Sequence, residues 1–555
     1  MSLRGHSSPE AMTSSIEGAK FSPLHSPDGT MLAYALDPDG SESYHIVAHD
    51  PSTNICTDLT PNIAYAHQPN FSWSPDGKML AVLSDKHGQF ALHLLPVDGT
   101  PGRLLKNVFH PCWDAKWSPD GQWIAIEAES TASDRSIYII PVNRPRKGMR
   151  VNTIQLKING QLLNAQNPVW SPDSKFLAFS AENGEWHDIG LFDVESHKIT
   201  WVNESSGDDT QPAWSRDGNL IGWIHSEGPV TSFELRKGNE PVKQIQIGAG
   251  VHSFPLFATD SVVILYEDPA HPSDLWKIHL EDGSLEQLTN SLPDELKDAE
   301  FIQPEEVWYA SQDGTQVPAL LYRAKDSQRA VLDIHGGPNW HLQFSWNPVI
   351  SHMASRGWTV LTPNYRGSTG YGKKWQNASR YDMGGVDNDD CAAGVKYLIE
   401  NGLADKDKIG VTGRSHGGYL TMTCMTTHPD LFAVGSAVVP FLNWLKSHDD
   451  SREDLQHWNI ENMGDPEDNR ELWVARSPYF FLDKVNAPVQ MICGGNDPRC
   501  PASDSIEARD KLLELGKEVE LLLYENEGHT FLDTENIIDS EVKRVGFLAK
   551  VLETR

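Results

Sequence analysis

The chain has 555 residues, 39% of them hydrophobic, and a formal net charge of −31. At that length two domains are the prior, and the apolar content is enough for real cores. The acidic balance excludes the basic face that nucleic acid or an anionic membrane requires, so neither is expected as a partner. Residues 1–20 are polar and lack the apolar stretch of a secretory signal, and no apolar run approaches membrane-spanning length. Six cysteines (Cys56, Cys112, Cys391, Cys424, Cys493 and Cys500) show no framework spacing. Free, mostly buried thiols in a reducing cytoplasm are the simplest reading. No HExxH or paired CxxC occurs, so neither a metal nor a cofactor is expected. A metal or disulfide at Cys493 and Cys500 is the weaker alternative.

One phrase recurs through the first half. It reads His25-Ser26-Pro27-Asp28-Gly29, Trp73-Ser74-Pro75-Asp76-Gly77 and Trp117-Ser118-Pro119-Asp120-Gly121. Worn copies follow at Trp170-Ser171-Pro172-Asp173-Ser174, Trp214-Ser215-Arg216-Asp217-Gly218 and Phe257-Ala258-Thr259-Asp260-Ser261. The Asp positions are separated by 48, 44, 53, 44 and 43 residues, the period of a four-stranded propeller blade. Pro and Gly suit a tight turn, and an apolar strand follows each copy, as in Met79-Leu80-Ala81-Val82-Leu83. The recurrent Trp is read as packing between blades. Six blades are expected over residues 21–300, after an N-terminal extension of residues 1–20. A seventh would need strands from that extension or from residues 292–302.

Residues 291–306 are acidic and read as a linker. Val307 to Tyr322 then carries a hairpin signal around Asp313-Gly314. From there strands alternate with helices. Val331-Leu332-Asp333-Ile334, Thr359-Val360-Leu361 and Lys408-Ile409-Gly410-Val411 read as buried strands, and 386–400 as a helix. Further apolar runs cover 432–439, 488–492 and 519–524, with helices at 505–515 and from about 535 to 552. This alternation predicts a mostly parallel sheet covered on both faces, an α/β-hydrolase pattern over residues 301–555.

Within it, Gly413-Arg414-Ser415-His416-Gly417 joins a strand to a helix. Gly-x-Ser-x-Gly in that setting is a nucleophile elbow, in which small neighbours let strand and helix approach closely. The Ser415 hydroxyl then stands at the end of a strand, and the His416 amide is a ready oxyanion donor. A serine needs a base, and the base an orienting acid, and on this fold they follow in the order Ser, Asp or Glu, His. Asn496-Asp497-Pro498-Arg499 follows one late strand and Gly528-His529 the next, so Asp497 is assigned as acid and His529 as base. Asp504 is the alternative acid, although a capping role at a helix start accounts for it. His335-Gly336-Gly337-Pro338 follows the Ile334 strand and places the Gly337 amide as second oxyanion donor, with His335 structural. Tyr371, in Asn364 to Gly372, either lends its phenol to the oxyanion or packs.

These pieces, with Arg476-Ser477-Pro478 and the propeller phrase, resemble the prolyl oligopeptidase family of serine peptidases over nearly the whole chain, most closely its acylaminoacyl-peptidase branch. The resemblance implies a Ser415, Asp497, His529 triad and an oxyanion hole at Gly337 and His416. It also implies a propeller that admits short peptides and a tendency to self-associate. Residues 441–473 fall where the family places helices around the specificity pocket, making Phe441, Trp444, Leu455 and Trp458 candidate pocket residues, though core packing accounts for each equally well. Arg499 joins them as a candidate substrate contact. Pro498, Cys500 and the sixfold repeat depart from the family pattern. The expected function is hydrolysis of short or N-blocked peptides, with a metabolite esterase or amidase using the same triad as the alternative. A relic domain on a propeller scaffold is argued against by the complete triad. Glu305-Glu306, read as a solvated turn, and Asp449-Asp450 are the only tempting anchors for a free amino terminus.

Overall fold

A computed structural model describes residues 18–61, 64–131, 134–142, 153–325 and 328–554. Most of the expected N-terminal extension, residues 1–17, lies outside the described residues. The described residues fall into two compact units, bounded as Met1–Glu129 with Ile137–Gln155 and Ser130–Ser136 with Leu156–Arg555. None of the described helices is long and apolar enough to cross a membrane. The six cysteines are free, and all except Cys56 are buried.

Each repeat folds as a four-stranded antiparallel sheet, over residues 19–58, 72–106, 112–155, 165–201, 208–245 and 251–287. They are the six blades of a β-propeller. The recurrent phrase is the turn between the first two strands of a blade. In five copies the Ser hydroxyl donates to the Asp two residues on at 2.6 to 2.8 Å. It also accepts the amide five residues on at 2.9 to 3.0 Å. The last residue of the phrase takes φ between 61° and 75° in these five copies, which is why four of the five are glycine and Ser174 is the exception. The Trp packs as expected: Trp73 donates its indole N–H to the Leu24 carbonyl of the preceding blade at 3.0 Å. Trp214 lies against a cluster that joins Ala178 and Ile189 to Ile221 and Trp223.

The first strand of several blades carries a bulge that the repeat does not announce. Asn167, Gln211 and Phe254 sit in register breaks with φ of 55°, 55° and 53°. They are chained across blades: Asn167 accepts the Gln211 amide at 3.3 Å, and Gln211 accepts the Phe254 amide at 2.7 Å.

In the second half, strands β1 (Glu305–Ala310), β2 (Gln316–Tyr322), β3 (Ala330–Ile334), β4 (Thr359–Pro363), β5 (Ile409–Arg414), β6 (Val434–Val438), β7 (Val489–Gly494) and β8 (Val519–Tyr524) form one sheet. Their order is β1-β2-β4-β3-β5-β6-β7-β8. The hairpin β1-β2 is antiparallel, β2 runs antiparallel to β4, and the rest pair in parallel. Helices α1 (Pro348–Ser355), α2 (Lys373–Gln376), α3 (Val386–Glu400), α4 (His416–Thr427), α5 (Trp444–Asp450), α6 (Glu453–Met463), α7 (Arg470–Ala475), α8 (Ala502–Glu514) and α9 (Thr534–Leu552) complete it. Successive strand residues point to opposite faces. Leu332, Ile334 and Leu361 pack with residues of α3, α4 and α8, whereas Val331 and Val360 pack with α1 and α9. Both faces are therefore covered, and the strands read as continuous apolar runs for that reason.

The expected linker ends early, because Glu305-Glu306 opens β1 and is not a solvated turn. Glu305 pairs with Arg323 at 2.8 Å. Within the second unit, blades also bond to this domain, at the loop before α1 and at the start of α2. The Phe344 amide donates to the Pro229 carbonyl at 2.8 Å, and the Lys373 amide to the Glu185 carbonyl at 2.8 Å.

Candidate active site

Ser415 stands between β5 and α4 with φ 59° and ψ −122°. Positive φ strains any residue with a side chain, and the surroundings hold it there. Its amide donates to the Val438 carbonyl at 2.9 Å, and its carbonyl accepts the Tyr419 amide at 2.9 Å. A Cβ on Gly413 would lie 2.5 Å from the carbonyl oxygens of Ile334 and Gly417. A Cβ on Gly417 would overlap the Ile334 carbonyl, and one on Gly418 would come within 2.6 Å of the Val438 carbonyl. Only glycine lets α4 start this close to the ends of β3, β5 and β6. The helix is buried nearly throughout, and its threonines satisfy their hydroxyls locally: Thr421 and Thr423 donate to the carbonyls four residues back at 2.8 and 2.9 Å.

Asp497 and His529 arrive on the loops after β7 and β8. Gly494 and Gly495 let the two loops touch, since added Cβ atoms would meet the Glu527 and Glu525 carbonyls at 2.5 Å. The loops are also bonded, with the Asn496 amide donating to the Glu527 carbonyl at 2.9 Å. His529 Nε2 lies 2.9 Å from Ser415 Oγ, and its Nδ1 lies 2.8 Å from Asp497 Oδ2. The other oxygen, Asp497 Oδ1, accepts the Arg499 and Cys500 amides, both at 2.8 Å. Asp497 and His529 are 6% and 8% exposed, so that end of the relay is shielded, whereas Ser415 is half-buried. With Nδ1–H donated to the carboxylate, Nε2 carries the lone pair that faces the hydroxyl.

The predicted oxyanion donors flank this relay. A Cβ on Gly336 would lie 3.3 Å from Ser415 Cβ, so the peptide leading into Gly337 runs against the elbow. His416 opens α4, and its amide has no carbonyl four residues back to bond. His335 is structural: Ser368 Oγ lies 2.9 Å from its Nε2, Tyr365 stacks on it at 4.3 Å, and burial lowers its pKa to about 3. Tyr371 does not fit the oxyanion role. Its phenol donates to Glu306 at 3.2 Å and accepts from Asn364 at 3.0 Å, so its one proton is committed away from the serine.

The expected pocket residues divide. Phe441 is half-buried, stacks on Tyr419 with ring centroids 4.5 Å apart, and lies 6.2 Å from the His416 ring. Trp444 is 1% exposed and donates to the Tyr419 hydroxyl at 3.2 Å, which makes it core. Leu455 and Trp458 are half-buried on α6, Trp458 against the main core cluster. Arg499 is exposed on the acid loop. Asp504 caps nothing in α8. Its carboxylate instead accepts the Leu442 and Asn443 amides at 2.5 and 3.0 Å, fixing the chain that leads into α5.

Several residues around the relay escaped the sequence reading. Arg414 Nη1 donates to the His529 carbonyl at 3.3 Å, and its Nη2 lies 3.5 Å from Glu541. Glu527, 1% exposed, accepts the Leu532 amide at 2.6 Å and the Asp533 amide at 3.1 Å, which shapes the turn after His529. Beneath the elbow, His416 Nε2 lies 3.2 Å from Asp387, and both residues are buried. One turn on in α3, Asp390 receives a fork from Arg366 at 2.7 and 2.9 Å and the Ser311 hydroxyl at 2.6 Å. The signal was present: three acids stand in the first five residues of a largely buried helix, two of them spaced i, i+3 on one face.

Residues 342–555 match the family described as the prolyl oligopeptidase family. The chain is 25% identical to an uncharacterized peptidase, YuxL, of Bacillus subtilis, over 95% of this chain and 96% of that one. It is 26% identical to dipeptidyl aminopeptidase BIII of Pseudoxanthomonas mexicana, over 94% and 79%. Its relatives include both acylamino-acid-releasing enzymes and dipeptidyl peptidases. A puromycin-hydrolyzing peptidase of Mycobacterium tuberculosis shares its fold, with a TM-score of 0.86 at 18% identity over 97% of this chain and 87% of that one. The match to the prolyl oligopeptidase family lies on residues 342–555, and with the peptidase relatives it marks the chain as a serine peptidase.

Proposed function

We propose that this peptidase hydrolyses short peptides with a blocked or uncharged amino end, using Ser415 as nucleophile, His529 as base and Asp497 as orienting acid. The observation that carries the reading is the continuous relay from Ser415 Oγ through His529 to Asp497, at 2.9 and 2.8 Å. Ser415 attacks the scissile carbonyl while Nε2 takes its proton, and Asp497 holds the ring in that tautomer. The Gly337 and His416 amides meet the developing oxyanion. His529 then protonates the leaving amine, and water repeats the sequence to free Ser415. No step needs a cofactor.

The uncharged amino end is supported by what has become of the tempting acids. Two of them already face a cation, Glu305 paired with Arg323 and Asp450 lying 3.4 Å from Lys446. A partnered carboxylate gains little by holding a substrate ammonium. Phe441, beside His416, is the apolar wall for the acyl side. Blades five and four, which bond to Phe344 and Lys373, act as the gate in this reading.

The test compares N-acetyl-aminoacyl anilide, free aminoacyl anilide and the matching ester, with Ser415→Ala as blank. Faster turnover of the acetylated anilide is expected. Cleavage of the free anilide alone would replace this reading with an aminopeptidase, and reaction of the ester alone with an esterase.

A further inference from the structure

The loop that carries Asp497 carries Cys500 three residues later, and both side chains face the base. A carboxylate oxygen of Asp497, the Cys500 sulfur and a ring nitrogen of His529 all lie within 4.8 Å of one another, and all three residues are buried. Thiolate, imidazole and carboxylate together are the donor set of a borderline-soft cation, and zinc takes them at about 2.0 to 2.3 Å in tetrahedral geometry. The backbone already holds two of the donors in place, since the Cys500 amide donates to Asp497 at 2.8 Å. The third is held by its 2.8 Å contact to the same carboxylate.

We propose that Cys500, His529 and Asp497 form an inhibitory site for a thiophilic divalent cation, for which zinc is the probe. The proposal rests on His529 being the base. The cation takes the Nδ1 lone pair, the Cys500 sulfur and a carboxylate oxygen. The thiol proton leaves to water. The single imidazole proton moves from Nδ1 to Nε2, so the nitrogen facing Ser415 no longer has a lone pair to accept the serine proton. Catalysis stops without any change in the serine itself. Burial holds the free thiol well above the usual range, so without metal Cys500 is an inert neutral group beside the acid. A harder cation such as magnesium, which prefers oxygen ligands, is not expected to compete.

The experiment uses the full chain, freed of chelator, and reads turnover of its best anilide against zinc and against magnesium. Each protein is normalised to its own metal-free rate. Zinc inhibition reversed by EDTA is expected, with magnesium inert. Cys500→Val and Cys500→Ser should each raise the half-inhibiting zinc concentration at least tenfold, whereas Cys56→Ser in the first blade should not. Equilibrium dialysis should find one fewer tightly bound zinc in Cys500→Val than in the parent. Unchanged half-inhibition, or unchanged stoichiometry, in both Cys500 variants overturns the site. His529→Gln, assayed without metal in the same series, tests the base separately: if it retains full turnover the catalytic reading fails, whatever zinc does.

Discussion

Asp504 shows how a buried carboxylate can be read correctly as important and wrongly in kind. Its place at a helix start suggested a cap, but it reaches across to two amides of a different segment. Burial pushes its carboxyl up to about 6, and the two amides pull the other way without overcoming this. In an unfolded chain the group titrates at about 3.9. The folded state therefore prefers the protonated acid, so this contribution to stability is complete below about pH 4 and is lost as pH rises through 6. Asp504→Asn cannot ionise. Relative to that variant, the parent should lose about 2 kcal/mol between pH 4 and pH 7 in urea unfolding. A pH-independent difference would contradict the assignment. Ser415, Asp497 and His529, which hydrogen bonds join in the structure, could be picked out because each stands in a short local phrase next to a strand. The pairing of Asp387 with His416, 29 residues apart, has no such phrase, and acids in a first helical turn ordinarily face water.

Among the elements, α3, α8 and α9 were readable because a long buried or amphipathic run fixes their period. The short helices α1, α2 and α5 to α7 offer at most eleven residues each, too few turns for a period to stand out. The turns of the propeller were legible through Ser-Pro-Asp-Gly. The bulge ladder of Asn167, Gln211 and Phe254 was not, because its positions share a backbone shape and no residue type. Glycine at the elbow is an element-scale requirement with a measurable consequence. Gly417→Ala drives a Cβ into the Ile334 carbonyl, whereas Gly402, with φ 67°, has open space around an added Cβ. Gly417→Ala should cost at least about 3 kcal/mol, by overpacking against backbone that cannot yield. Gly402→Ala should cost about 1 kcal/mol, from conformation alone. Equal losses in denaturant unfolding would mean that α4 does not need this close approach.

At the scale of the molecule, the repeat period announced one half of the chain and the alternation of strands and helices the other. The compact units do not follow that division, since the second holds three blades with the hydrolase sheet. A period describes what is alike among blades and is silent about which blades bond to Phe344 and Lys373. The central claim is that this whole assembly serves one activated serine. The most direct measurement is stoichiometric labelling with a fluorophosphonate, followed by peptide mapping. One adduct per chain on Ser415 is predicted, with turnover falling in proportion to labelling and labelling slowed by orders of magnitude in His529→Gln. An adduct elsewhere, or full turnover after Ser415 is modified, would contradict the account.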